Sequence, residues 1–103
     1  WRTENGWLML YHGVDDKGIY RVGAMLLDIE DPRKIIARTP EPIMEPEYEY
    51  ETIGFYNGCV FPTGNIILED TLFVYYGGAD KYCCVATCSL SELLDYLVKC
   101  KVV

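Results

Sequence analysis

Short apolar runs, each closed by a turn signal, recur along almost the whole chain, and only one stretch near its end carries a helical period. That rhythm restricts the chain to β-rich architectures, because antiparallel strands of this length need a turn every few residues. Trp7-Leu8-Met9-Leu10-Tyr11 is an apolar run that ends at Gly13. Asp15-Asp16-Lys17-Gly18 is a polar turn, and residues 19–27 resume the strand pattern, so the two runs predict a hairpin. Asp31-Pro32 breaks the chain, and Lys34-Ile35-Ile36-Ala37 is a short strand candidate.

Residues 39–51 hold Pro40, Pro42 and Pro46 among several acids, and are expected to run extended from one sheet to the next. Residues 58–61, 65–68 and 71–76 follow as separate strands. Phe61-Pro62-Thr63-Gly64 reads as a turn at a strand end, and Glu69-Asp70 as a tight turn. A last strand is expected over 82–87. Ser89 or Ser91 then serves as N-cap of a helix with Glu92 in its first turn. Leu90, Leu93, Leu94 and Leu97 make its apolar stripe, with Lys99 and Lys101 near its end, and the helix should cover a sheet face or edge.

Antiparallel meanders of this kind admit a sandwich, a barrel or propeller blades. A four-stranded blade takes about 40 to 50 residues, so the chain has room for roughly two and a terminal helix. Leu8-Met9-Leu10-Tyr11-His12-Gly13 is echoed by Leu72-Phe73-Val74-Tyr75-Tyr76-Gly77, as equivalent strands of successive blades would be.

The 103 residues make one domain or a piece of one, with half of them hydrophobic. A net charge of -7 without any basic run excludes an electrostatic nucleic-acid binder. No apolar stretch approaches the roughly 20 residues that span a bilayer, and nothing at the N-terminus resembles a signal peptide, so a soluble domain is expected. The chain starts at Trp1, as a processed or excised segment would. Cys59, Cys83, Cys84, Cys88 and Cys100 are an odd set with neither disulfide-scaffold nor zinc spacing, and are expected to be buried free thiols in a reducing, cytoplasmic compartment.

Several side chains are capable of chemistry. His12, the single histidine, stands where a strand runs out into Gly13. It is either an imidazole bonded to a backbone carbonyl or a ligand for a substrate anion. Asp80, after Tyr75-Tyr76-Gly77-Gly78-Ala79, is either a turn or cap residue, or a carboxylate that accepts from vicinal sugar hydroxyls beside tyrosine rings. Phe61 is a buried turn residue or a pocket wall, and Tyr20 a core aromatic or a hydrogen-bond donor to phosphate or sugar. Glu45 and Glu47 read as solvated loop acids. Sixteen acids make catalytic carboxylate pairs easy to imagine and identify none. Gly77-Gly78 lacks the residues of a phosphate loop.

Taken together, Gly6-Trp7-Leu8-Met9-Leu10-Tyr11-His12-Gly13-Val14, Tyr20-Arg21-Val22-Gly23-Ala24-Met25-Leu26-Leu27-Asp28 and Asp31-Pro32 resemble glycoside hydrolase family 130. The resemblance continues in Glu45-Pro46-Glu47, Tyr50-Glu51, Gly54, Asn57-Gly58-Cys59-Val60-Phe61-Pro62-Thr63-Gly64 and Tyr75-Tyr76-Gly77-Gly78-Ala79-Asp80. It implies an all-β chain of about two antiparallel four-stranded blades of a five-bladed β-propeller, plus a C-terminal helix, with residues 1–103 as its C-terminal part. It implies phosphorolysis of β-mannosides with inversion, giving α-mannose 1-phosphate. His12 and Tyr20 correspond to phosphate-site residues, Asp80 to a sugar-binding carboxylate and Phe61 to a pocket wall. The Phe-Pro-Thr-Gly form is similar to the mannooligosaccharide phosphorylase branch.

The family's general-acid Asp and most of its phosphate-holding cations correspond to positions before Trp1, so no catalytic residue is assigned, and Arg2, Arg21, Arg33 and Arg38 receive no role; no metal or cofactor is expected. Inorganic phosphate and a β-mannoside oligosaccharide are the expected partners. The chain by itself is expected to be inactive, and to need self-association or the missing N-terminal blades. A non-catalytic propeller fragment, a sugar-binding module and a β-mannoside hydrolase are the alternatives.

Overall fold

The computed structural model describes residues 1–100; Lys101, expected near the helix end, lies outside them. The chain forms two antiparallel sheets and a C-terminal helix. The first sheet holds β1 (Arg2–Thr3), β2 (Gly6–Val14), β3 (Tyr20–Leu27) and β4 (Ile35–Arg38) in that order. A one-turn helix, α1 (Glu49–Thr52), leads to the second sheet of β5 (Val60–Leu68), β6 (Thr71–Gly78) and β7 (Tyr82–Ser89). Helix α2 (Leu90–Val98) closes the described chain. The second sheet therefore has three strands among the described residues where four were expected.

The predicted hairpin is β2 and β3, paired from Trp7↔Leu27 to Val14↔Tyr20. Its turn is held by Asp15, which accepts the backbone N–H groups of Lys17 (2.8 Å) and Ile19 (3.0 Å). Arg21 donates to Asp15 and, across the sheet edge, to Glu45 at 3.1 Å. Glu45 is thus an ion-pair partner as well as an exposed loop acid. The Arg21 guanidinium, followed by the Ile19 N–H, holds the Asp15 carboxyl down at about 2. Any stability this depressed value contributes is present above the ordinary Asp range and is lost as pH falls through about 2. Arg21→Ala should raise the Asp15 midpoint toward 3.8 in a carboxyl NMR titration, and an unmoved midpoint would refute that cause.

Strand alternation builds the core. Val22, Ala24 and Leu26 face inward from β3, joined by Leu8 of β2 and Ala37 of β4. Leu72 and Val74 of β6 meet all of these but Val22, and Leu93 and Leu97 of α2 fill the same cluster, while Val22 packs in a second cluster with Val60 and Tyr76. Both halves of the sequence echo contribute: Leu8 and Leu72 are buried together, each from the second strand of its sheet. Ser89 is the N-cap of α2, accepting from the Glu92 N–H at 3.3 Å, and Asp70 accepts from Ser89 and Ser91 at 2.9 and 2.7 Å. The helical stripe thus packs as its period predicts.

Three expectations change. The strands expected over 58–61 and 65–68 are one strand, β5, so Phe61-Pro62-Thr63-Gly64 is no turn. A register shift between Pro62 and Gly64 absorbs the interruption, and β5 lies at the sheet edge, where the missing proline N–H costs no ladder bond. The connection over 39–51 is extended at first, with Val22↔Met44 bridged, but ends in α1. Finally, Cys59 is buried, while Cys83 and Cys88 are exposed. Both belong to edge strand β7: Cys83 lies near its start, opposite Gly77, and Cys88 lines an open hollow beside α2.

Candidate functional site

The core-facing row of the first sheet runs out at one end into polar aromatics. Leu8, Leu10 and His12 alternate along β2, and His12 pairs with Val22, two residues after Tyr20 on β3. Period-2 geometry therefore puts His12 and Tyr20 on the face that carries the core, just beyond its last buried residue. Their rings lie 5.7 Å apart. Phe61, at the start of β5, brings its ring to 4.1 Å from His12 and 6.1 Å from Tyr20. Tyr56 meets Tyr20 edge-on at 5.2 Å and donates its hydroxyl to the Gly18 carbonyl at 2.6 Å. His12 is exposed and Phe61 is 39% exposed, so neither is a core residue. The expected alternative of a histidine bonded to a backbone carbonyl is not found among the described residues.

Backbone bonds tie this cluster to Asp80. Tyr20 N–H donates to the Gly58 carbonyl (2.9 Å) and Tyr20 bridges Cys59 in parallel. Ala79 N–H donates to the Cys59 carbonyl (2.9 Å), and Tyr56 N–H to that of Ala79 (3.0 Å). Asp80 is exposed on the turn between β6 and β7. Burial first, then the nearby Asp80 carboxylate, push the Cys59 thiol above its ordinary value. Ala79 and Asp80 both have left-handed backbones, with φ of 50° and 56°. Two consecutive non-glycine residues in that region cost on the order of 1–2 kcal/mol each, and such conformations cluster at sites that need a side chain aimed. The structure thus groups His12, Tyr20 and Phe61 directly, and joins Asp80 to them through Cys59.

Two residues near this end carried no assignment from the sequence. Tyr56 sits between Gly54 and Asn57 of the recognised spacing and packs on Tyr20. Glu51 is 3% exposed, yet is a carboxylate. Its Oε1 accepts the N–H groups of Glu47 (2.9 Å) and Tyr48 (3.1 Å), and its Oε2 accepts the Tyr76 hydroxyl (2.5 Å). Glu51 therefore caps α1 and pins it to β6. Burial, then the Glu51 bond, push the Tyr76 phenol above its ordinary value. The signal in the sequence was Tyr50-Glu51 within the resemblance, without a role.

None of the larger concavities among the described residues is lined by His12, Tyr20, Phe61 or Asp80. One of about 600 Å³ adjoins the Asp80 turn and is lined by Phe55, Lys81 and Tyr82 among others. Another, of about 700 Å³, runs along the connection over 41–51 to Tyr76 and Ala86. Among the described residues, no three His, Cys, Asp or Glu side chains converge as a metal site, and no helix is long and apolar enough to cross a membrane.

A family model described as β-1,4-mannooligosaccharide phosphorylase matches residues 1–99. The chain is 48% identical over 92 residues to a 1,2-β-oligomannan phosphorylase of Thermoanaerobacter, covering 89% of this chain and 31% of that one. It is 45% identical over 96 residues to β-1,2-mannobiose phosphorylase of Listeria innocua (93% and 27%), and 32% identical over 100 residues to β-1,4-mannooligosaccharide phosphorylase of Ruminococcus albus (92% and 30%). It spans less than a third of the length of these curated relatives. The solved complex of the Listeria innocua enzyme with β-1,2-mannobiose superposes with a TM-score of 0.90 at 44% identity, over 94% of this chain and 28% of that one. A structure reported with the finding that the family's mannoside phosphorylases include hydrolases of β-1,2 linkages in Candida mannan gives 0.78 at 30% identity, over 87% and 28%.

Proposed function

Because the chain belongs to glycoside hydrolase family 130, we propose that it is the C-terminal part of a cytoplasmic β-propeller enzyme that phosphorolyses β-mannosides. The observation that carries this reading is the grouping of His12, Tyr20 and Phe61 at the open end of a core-facing row, with the Asp80 turn joined to it. The two sheets are neighbouring blades of a five-bladed propeller, and the cluster faces the central channel. Exposed Cys83 and Cys88, neither in a disulfide, suit the reducing conditions of the cytoplasm.

In the reaction, a phosphate oxygen attacks C1 of the mannosyl unit from the face opposite the leaving sugar. The C1–O glycosidic bond breaks, and its oxygen takes a proton from a carboxylic acid outside these 103 residues. The products are α-mannose 1-phosphate and a shortened acceptor. His12 and Tyr20 supply N–H and O–H donors to the phosphate, which holds the nucleophile in line. Asp80 accepts from hydroxyls of the mannosyl unit, and its rigid placement matters most when the ring flattens toward an oxocarbenium ion. Phe61 walls the site and keeps the imidazole in place. No cofactor is needed.

The favoured substrate is β-1,2-linked. Identity is 45–48% to relatives named for β-1,2-mannosides and 32% to one named for the β-1,4 linkage. The full-length protein that carries this chain should convert β-1,2-mannobiose to mannose 1-phosphate only when phosphate is present. Free mannose formed without phosphate would favour the second reading, a hydrolase, which the 30%-identical structure keeps in view. No product from either linkage would end both.

A further inference from the structure

The hollow beside the Asp80 turn presents two aromatic side chains that these 103 residues leave uncovered. Phe55 is 81% exposed and Tyr82 is 42% exposed. Lys81 holds its ammonium 5.8 Å from the Phe55 ring centre and 5.5 Å from that of Tyr82, so one cation joins both rings. The arrangement is not a loose tip. A Cβ on Gly54 would stand 2.5 Å from the Ala79 carbonyl oxygen and 3.2 Å from the Lys81 Cβ, so only glycine lets the loop lie this close to the turn. On the other side of Phe55, the Tyr56 N–H donates to Ala79. Phe55 is therefore fixed from both flanks against the turn that carries Asp80, with its ring left outward.

We propose that Phe55 and Tyr82, with Lys81 between them, form an accessory subsite that binds the sugar units of a β-mannoside oligosaccharide beyond the disaccharide being cleaved. This rests on the function proposed above and extends it to chain-length preference. Aromatic faces pack against the C–H faces of a pyranose ring, and the ammonium donates to its hydroxyls. A hollow of about 600 Å³ is large enough for a hexose unit, and Lys81, next to Asp80 in the turn, is part of its lining. The joint presence of rings, an ammonium and the Glu49 carboxylate in one lining suits a neutral, hydroxyl-rich ligand better than an apolar protein segment.

The test compares β-1,2-mannobiose with β-1,2-mannotetraose in the full-length protein. Phe55→Ala and Tyr82→Ala should each raise KM for the tetraose by about threefold to tenfold, with kcat and the disaccharide KM unchanged. Lys81→Ala should act in the same direction. Equal losses on both substrates, no change on either, or a drop in thermal midpoint with altered oligomeric state would overturn the subsite and make the rings a packing surface. Phe55→Tyr keeps a ring, so it should retain the tetraose preference; its loss would also count against stacking. Turnover of neither substrate by the unaltered protein would instead defeat the phosphorylase reading, and calorimetry with the tetraose would still report the subsite.

Discussion

Asp80→Ala in the full-length protein is expected to lower kcat/KM for β-1,2-mannobiose by about a hundredfold to a thousandfold, with only a small change in thermal midpoint. A carboxylate that accepts from two hydroxyls contributes most in the transition state, and a site built for such bonds loses heavily when one partner goes. Asp80 is exposed, and Cys59 beside it is neutral, so no buried partner is stranded by its removal. Alanine tolerates the left-handed backbone less well than aspartate, and Asp80→Asn separates the two effects. The asparagine variant keeps the turn and should still lose most of the activity. Wild-type kcat/KM in both variants would remove Asp80 from the site.

The largest effect on stability is expected at Glu51. Glu51→Ala leaves the buried Tyr76 hydroxyl and the part-buried N–H groups of Glu47 and Tyr48 without their acceptor. Each stranded group costs about 1–3 kcal/mol, so a loss of about 3–5 kcal/mol is expected by chemical denaturation. Glu51→Gln keeps one carbonyl acceptor for the two N–H groups and should lose about 1 kcal/mol. The pair also sets an alkaline limit. Because the folded Tyr76 phenol titrates above its unfolded value of 10.0, the stability it contributes is complete below that pH and is lost as pH rises beyond it. Tyr76→Phe should flatten this alkaline slope while lowering stability at neutral pH, and an unchanged slope would contradict the assignment.

What was legible in the sequence was what local chemistry controls. The β2–β3 hairpin followed from Asp15-Asp16-Lys17-Gly18 between alternating runs, and α2 from the Ser89 cap and the leucine period. Helix α1 was hidden because its order comes from Glu51 reaching Tyr76, 25 residues away, within a proline-rich connection that reads as extended. The continuity of β5 was hidden because Pro62 is acceptable only on an edge strand, and edge position is a property of the sheet. The same holds for Cys83 and Cys88, whose composition suggests burial until β7 is found at an edge.

For the site, the residues alone left each candidate open between a structural and a binding role. The resemblance singled out His12, Tyr20, Phe61 and Asp80, and the fold brings the first three into ring contact. Tyr56 escaped notice because its partner, Tyr20, is far away in sequence.

The most direct measurement is a crystal structure of the full-length protein with phosphate and a β-1,2-mannoside bound. Phosphate within hydrogen-bond reach of His12 and Tyr20, and mannosyl hydroxyls on the Asp80 carboxylate, are the predicted result. Both ligands bound elsewhere, with the His12–Phe61 cluster packed away from the central channel, would contradict it.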